Sequence, residues 1–211
     1  VINIDSRRNF LNSSALFLLG LLLLSLFLAW IADIRAFSGI HFTWRDTGIG
    51  LVAAALMLLV FGGITPVRDQ AEKILGGALS ACYWYDLLIL AILVGFTEEL
   101  LFRGVLEPWV SRINPLFGMI SVSVFFGLLH AVSVGYAIVA GVLGLILSLL
   151  AHGPGEYNLL RPIVAHAAYD FAGFLWVVYQ YRKRHPEESY DAKKDVSLPQ
   201  DELSRDDIHS L

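Results

Sequence analysis

Cysteine and charge are the scarce components of this chain. One cysteine, Cys82, stands among 211 residues, so neither an internal disulfide nor a cysteine-rich zinc site can form, and any metal would take His and carboxylate ligands. Asp, Glu, Lys and Arg supply only 16% of the residues, against about 25% in soluble domains. The net charge of −4 is spread over loops and tail, and no basic stripe with interleaved aromatics is present, which argues against DNA or RNA as partners. Barrel-type strands of alternating polarity are missing too. What remains is 56% hydrophobic with a mean hydropathy of +0.64, the composition of an all-α, multi-span membrane protein whose first partner is the lipid bilayer.

A helix needs about 20 apolar residues to cross about 30 Å of hydrocarbon. Charge-poor runs predict six spans at roughly 11–32, 47–64, 84–107, 115–131, 134–151 and 161–181, forming a single transmembrane helical bundle over residues 1–181. The first run follows Arg7 and Arg8, is too long for a signal-peptide core and lacks a small-residue cleavage site, so it reads as a retained span. A chain starting at Val1 points to an unusual start codon or a missing upstream piece. The breaks at 33–46 and 65–77 read as loops or interfacial segments. Tyr83, Trp84 and Tyr85 before the third span and Trp109 after it bracket that helix with interfacial aromatics, and Asp86 reads as interfacial with them. The pairs Ala137/Gly141 and Ala140/Gly144 permit close helix approach. Residues 152–160 form a turn, and Pro162 sits in the first turn of the last span, where its missing N–H costs little.

Residues 182–211 read as a disordered polar tail. Beyond Arg182-Lys183-Arg184 it holds eight acidic and three basic residues over 187–211. An even number of spans puts both termini on one side. Arg7, Arg8, Arg68, Lys73 and Arg182–Arg184 share that side, which the positive-inside rule assigns to the cytoplasm.

Against this background Glu98, Glu99 and Arg103 are conspicuous, because an ionisable group at bilayer depth costs several kcal/mol (about 2.5 or more) unless paired or hydrated. From Trp109 back to Glu98 the helix rises about 16 Å, so these charges lie deep. Glu99 and Arg103 are four apart on one face, in the favourable order for a pair. Glu98 points about 100° away from Glu99, free to face a cavity as a general base. His130 and His166 are the two histidines inside predicted spans, and His166 shares a face with Asp170. An acid, two histidines and a carboxylate in a wet cavity suit hydrolysis, with Glu98 activating water, His130 sharing the proton and His166 stabilising an oxyanion. Helix rises alone place the four at different depths, so tilt has to bring them together. His41, His152, His185 and His209 fall in loops or tail and need no function.

Glu98-Glu99-x-x-x-Arg103, Phe126-x-x-x-His130 and His166-x-x-x-Asp170, in this order, resemble the three-part signature of the CAAX prenyl protease and bacteriocin-processing family of glutamic-type intramembrane proteases. The resemblance covers about residues 84–181, the protease-like core. It implies Glu98 as catalytic base, Glu99 and Arg103 as its supporting pair, His130 as a second catalytic residue, and His166 with residue 170 as oxyanion-stabilising groups. It further implies a membrane-associated protein or peptide as substrate, cut near its terminus, in the inner membrane of a bacterium. The family commonly has Asn where this chain has Asp170. An ionised Asp cannot donate to an oxyanion, so Asp170 is expected to orient His166 instead. No resident cofactor is expected; a zinc ion, if one were used, would take His130, His166 and Asp170, although HExxH spacing is absent. Two other classes stay open: a non-catalytic scaffold or immunity protein gripping a partner helix, and a proton- or metal-coupled transporter, for which no repeat of broken helices is visible.

Overall fold

The computed structural model describes residues 7–153 and 155–186, and every described element is helical. The elements are α1 (Arg7–Ala32), α2 (Trp44–Phe61), α3 (Thr65–Ser80), α4 (Trp84–Leu101), a π-helical turn (Phe102–Leu106), α5 (Glu107–Val110), α6 (Pro115–Leu129), α7 (Val134–Ala151) and α8 (Leu160–Arg184). The all-α bundle expected from composition is therefore present. By length and apolarity alone, α1 and α7 can each cross a bilayer, and α2 with α3 forms a third candidate bent by 105°. The helix of the third predicted span runs on through the π turn into α5, and α8 carries the polar residues of the site together with a basic end.

Local sequence starts these helices where chemistry demands. Thr43 Oγ1 accepts the Asp46 N–H at 3.0 Å, Asn114 Oδ1 accepts the Phe117 N–H at 3.0 Å, and Ser133 Oγ accepts the Tyr136 N–H at 3.2 Å. Each bond satisfies a backbone donor that a helix start leaves orphaned.

Two expectations change. Of the two readings of the 65–77 break, loop or interfacial segment, the loop falls away: it is helix α3, opened by Pro66 in its first turn and rich in helix formers such as Ala71, Glu72, Lys73 and Leu75. The tail does not begin at residue 182, since α8 continues to Arg184, whose guanidinium lies 3.0 Å from Glu72 and 3.4 Å from Asp69 of α3. The disordered tail expected over 187–211, and His209 within it, lie outside the described residues.

Two ion pairs tie the bundle at opposite ends, one half-buried and one buried. Arg7 grips Asp86 with Nε at 2.6 Å and Nη2 at 2.7 Å, fastening the start of α1 to the start of α4. Asp86 also accepts the Tyr83 N–H at 2.8 Å, so the residue read as interfacial also clamps α1 to α4. At the other end Arg161 Nε lies 2.6 Å from Asp46, which also accepts a bond from Asn158 at 2.9 Å. The basic residues Arg7, Arg182 and Arg184 share one face, since Arg182 donates to the Ser80 carbonyl at 2.8 Å.

α8 is the hub, packing on α2, α3, α4 and α7. Its approach to α4 depends on Gly95: a Cβ there would stand 2.8 Å from the backbone N of Ala167 and 3.1 Å from its Cα. α6 meets α7 in the same way, where a Cβ on Gly127 would stand 2.5 Å from the Ala137 carbonyl oxygen and 2.9 Å from Gly141 Cα. The small residues Ala137 and Gly141 thus serve the packing read from their spacing. Large apolar side chains such as Phe17, Leu59 and Leu128 remain exposed on the outside, the surface of a protein solvated by lipid.

Candidate active site

Contact of Gly95 with Ala167 brings the two charged stretches of α4 and α8 face to face. Glu99 Oε1 lies 2.9 Å from His166 Nδ1 and 2.9 Å from Arg103 Nη1, and the side chains of Glu99 and Arg103 are fully buried. Glu98, rotated away as its spacing requires, places Oε2 3.7 Å from His130 Nε2 and 3.9 Å from His166 Nε2. Asp170 Oδ2 is 3.5 Å from the same His166 nitrogen. The six residues singled out in the sequence therefore occupy one cluster at the junction of α4, α6 and α8.

Hydrogen bonding assigns the faces of both rings. His130 Nδ1 donates to the Phe126 carbonyl at 2.8 Å, which leaves its Nε2 lone pair turned toward Glu98. His166 Nδ1 donates to Glu99, leaving Nε2 toward Glu98 and Asp170. The orienting contact expected of Asp170 is made by Glu99. Phe126 holds both rings: its centroid is 4.4 Å from that of His130, nearly parallel, and 6.0 Å from that of His166, edge-on. Glu98 Oε2 is a buried oxygen without a hydrogen-bond partner among the described residues. Such an atom needs water or substrate.

Behind this cluster lies a second polar layer that sequence reading missed. Arg103 Nε donates to Ser148 Oγ at 3.3 Å, and its Nη2 donates to the Gly144 carbonyl. Ser148 Oγ donates to Glu107 at 2.6 Å, and Glu107 pairs with His152 Nε2 at 2.8 Å. Tyr157 donates to the Arg103 carbonyl at 2.6 Å and meets the His152 ring edge-on. Burial, with the Glu107 and Glu99 charges nearby, pushes the Tyr157 phenol well above its ordinary range and keeps it a donor. His152, read as a loop histidine that needs no function, closes this chain. The signal was there: Glu99, Arg103 and Glu107 recur every four residues, as do Gly144, Ser148 and His152 on the facing helix. The π-helical turn at 102–106 lies within this zipper, a distortion often found at functional sites. Gly144, read as a packing residue, also makes room for the guanidinium, since a Cβ there would stand 3.2 Å from Arg103 Nη2.

Two apolar chambers flank the cluster. One of about 370 Å³ reaches from Asp170 past Tyr136 and Gly173 to Arg68 and Trp176. The other, about 180 Å³, is lined by Phe17, Leu18 and Val94 and ends at Glu98. Leu75 of α3 and Phe174 of α8 border both. Among the described residues no three His, Cys, Asp or Glu are grouped as a bound metal ion would require.

Residues 80–172 match the family model described as type II CAAX prenyl endopeptidase Rce1-like. This core is similar to the Rce1-like family. The matched stretch holds Glu98, Glu99, Arg103, His130, His166 and Asp170, and it leaves out α1, α2, nearly all of α3 and the end of α8. No curated protein and no solved structure gives a match to the chain. The match supports a CAAX-type intramembrane protease in general, in agreement with the apolar helices.

Proposed function

We propose that the chain is a glutamic-type intramembrane endopeptidase in which Glu98 activates a water molecule to hydrolyse a peptide bond near the terminus of a membrane-associated protein or peptide. The observation that carries this reading is Glu98 Oε2, without a hydrogen-bond partner among the described residues, within 4.0 Å of two imidazole nitrogens and at the end of an apolar chamber. A water placed against these three atoms loses a proton to Glu98 as its oxygen attacks the carbonyl carbon. His166, in its imidazolium form, donates through Nε2 to the developing oxyanion while Nδ1 stays on Glu99. Its charge is balanced by Glu99 and Asp170. Glu98, now protonated, passes the proton to the leaving amine by way of the His130 Nε2 lone pair, and the C–N bond breaks. Arg103 pairs with Glu99 and keeps it aimed at His166.

Each step uses groups of this chain, so dialysis against a chelator is expected to leave cleavage unchanged. The proposed setting is the inner membrane of a bacterium, with six spans, residues 1–181 as a single domain and the C-terminal tail in the cytoplasm.

Cells carrying wild-type protein or Glu98→Gln at matched levels, compared by mass spectrometry of membrane proteins and peptides, test the reading. A terminal fragment present only with wild type is expected. Retained cleavage by folded Glu98→Gln overturns the role of Glu98. Asp170, an acceptor where the family commonly has an amide donor, favours one rival: a scaffold that binds a partner helix without cutting it. In that case a partner co-purifies and its mass never changes.

A further inference from the structure

Behind the catalytic cluster two carboxylates share one guanidinium. Glu99 and Glu107 are both buried, with Arg103 between them on the α4–α5 run. Arg103 bonds Glu99 directly at 2.9 Å but reaches Glu107 only through Ser148 Oγ, which accepts from its Nε at 3.3 Å and donates to Glu107 Oε2 at 2.6 Å. The other Glu107 oxygen lies 2.8 Å from His152 Nε2. No second cation is to spare on the Glu99 side, because His166 also faces Glu98 and Asp170. A buried carboxylate held by a hydroxyl and an imidazole is strongly destabilising unless the imidazole is the cation. The neighbours of His152 leave this pairing to it. Tyr157 meets its ring edge-on and gives its own proton to the Arg103 carbonyl. Arg161 of α8 comes near, 3.3 Å from where a Cβ on Gly153 would stand, but it is paired with Asp46 of α2 at 2.6 Å. The side chain of Glu107 is 2% exposed and that of His152 52%. Protons therefore enter and leave this layer at His152.

We propose that His152 is a positioning residue for the catalytic cluster, and that its protonated form, reached from solvent at the end of α7, holds Glu107 so that Arg103 stays on Glu99. This deepens the hydrolytic reading and rests on it. The path runs from His152 through Glu107, Ser148, Arg103 and Glu99 to His166, with no link longer than 3.3 Å. Loss of the His152 proton leaves Glu107 without its own cation and draws the Arg103 guanidinium toward it. Glu99 then grips His166 Nδ1 less firmly, and Nε2 turns away from the place of the oxyanion. The sign follows from the charge of histidine, which is present at low pH and lost as pH rises. Hydrolysis is fast below the His152 titration and slow above it. A His152 that acted only as a hydrogen-bond donor to Glu107 could be replaced by any neutral donor of similar reach, whereas this role requires the charge.

The test uses the full-length protein in nanodiscs, labelled with ¹⁵N-histidine and followed by NMR over about pH 5 to 8, where histidine changes charge. Besides its own titration, His166 Nδ1 is expected to show an inflection at the pH where His152 titrates, by the reciprocity of linked sites. His152→Gln, which keeps a donor without the charge, and His152→Lys, which keeps the charge, are both expected to abolish that inflection. With the peptide found by the Glu98→Gln comparison as substrate, kcat is expected to fall about tenfold to a hundredfold across the same pH, the scale of a misplaced catalytic group, with a smaller change in KM. His152→Gln is expected to be slow at every pH in this range and His152→Lys fast at every pH. A His166 signal blind to the His152 titration overturns the proposal, whether or not the variants fold, and so does a His152→Gln protein as fast as wild type. A linked His166 signal in a protein that never cleaves keeps His152 as a positioning residue and overturns the hydrolytic reading alone. Cleavage at a rate that ignores the His152 titration does the reverse.

Discussion

Replacing Arg103 with Met is expected to cost more than any other single substitution near the site. Its guanidinium is fully buried and bonds Glu99 at 2.9 Å, Ser148 at 3.3 Å and the Gly144 carbonyl. Through Ser148 it also faces Glu107, another buried carboxylate. Truncating it removes the cation from between two acids and leaves Glu99 with His166 as its remaining side-chain partner. Breaking a buried pair by deleting one member costs about 3–5 kcal/mol, or about two to nearly four powers of ten in the unfolding equilibrium. Reversible unfolding by SDS in mixed micelles, followed by tryptophan fluorescence, measures it. The decisive comparison is Glu99→Gln with Arg103→Met: the double variant carries no orphaned charge at 99 and is expected to recover about 1–3 kcal/mol relative to Arg103→Met alone. Additive losses, or an Arg103→Met protein within about 1 kcal/mol of wild type, would refute the account of this layer.

His130→Ala is expected to lower kcat by about 10²–10⁴ with a smaller change in KM; an unchanged kcat removes His130 from the proton path. Gly95→Ala drives a methyl against Ala167, whose backbone N would stand 2.8 Å away. It is expected to cost about 1–3 kcal/mol and to lose cleavage by parting His166 from Glu98, and full activity would show that this helix contact is not needed for the site. Cys82 lies between α3 and α4, where burial and then the charge of Asp86 push its thiol up to about 11. At pH 8 only about 0.1% is thiolate, so iodoacetamide is expected to label it slowly until the protein is unfolded. Complete native labelling within minutes contradicts that burial.

Sequence alone determined the helical class, since long apolar runs leave a chain in lipid no other way to satisfy its backbone. The residues of the cluster were legible too, because charges in such runs stand out and because spacings of four put Glu99 with Arg103 and His166 with Asp170. What spacing within one helix cannot carry is which helices touch. The Gly95–Ala167 contact, the choice of Glu99 over Asp170 as the partner of His166 Nδ1, and the Arg103–Ser148–Glu107–His152 chain all depend on interhelical distance. So does Arg68, which reads as one more basic residue in a polar break. Only the fold of α3 against α8 sets it on Trp176, at the mouth of a chamber leading to Asp170.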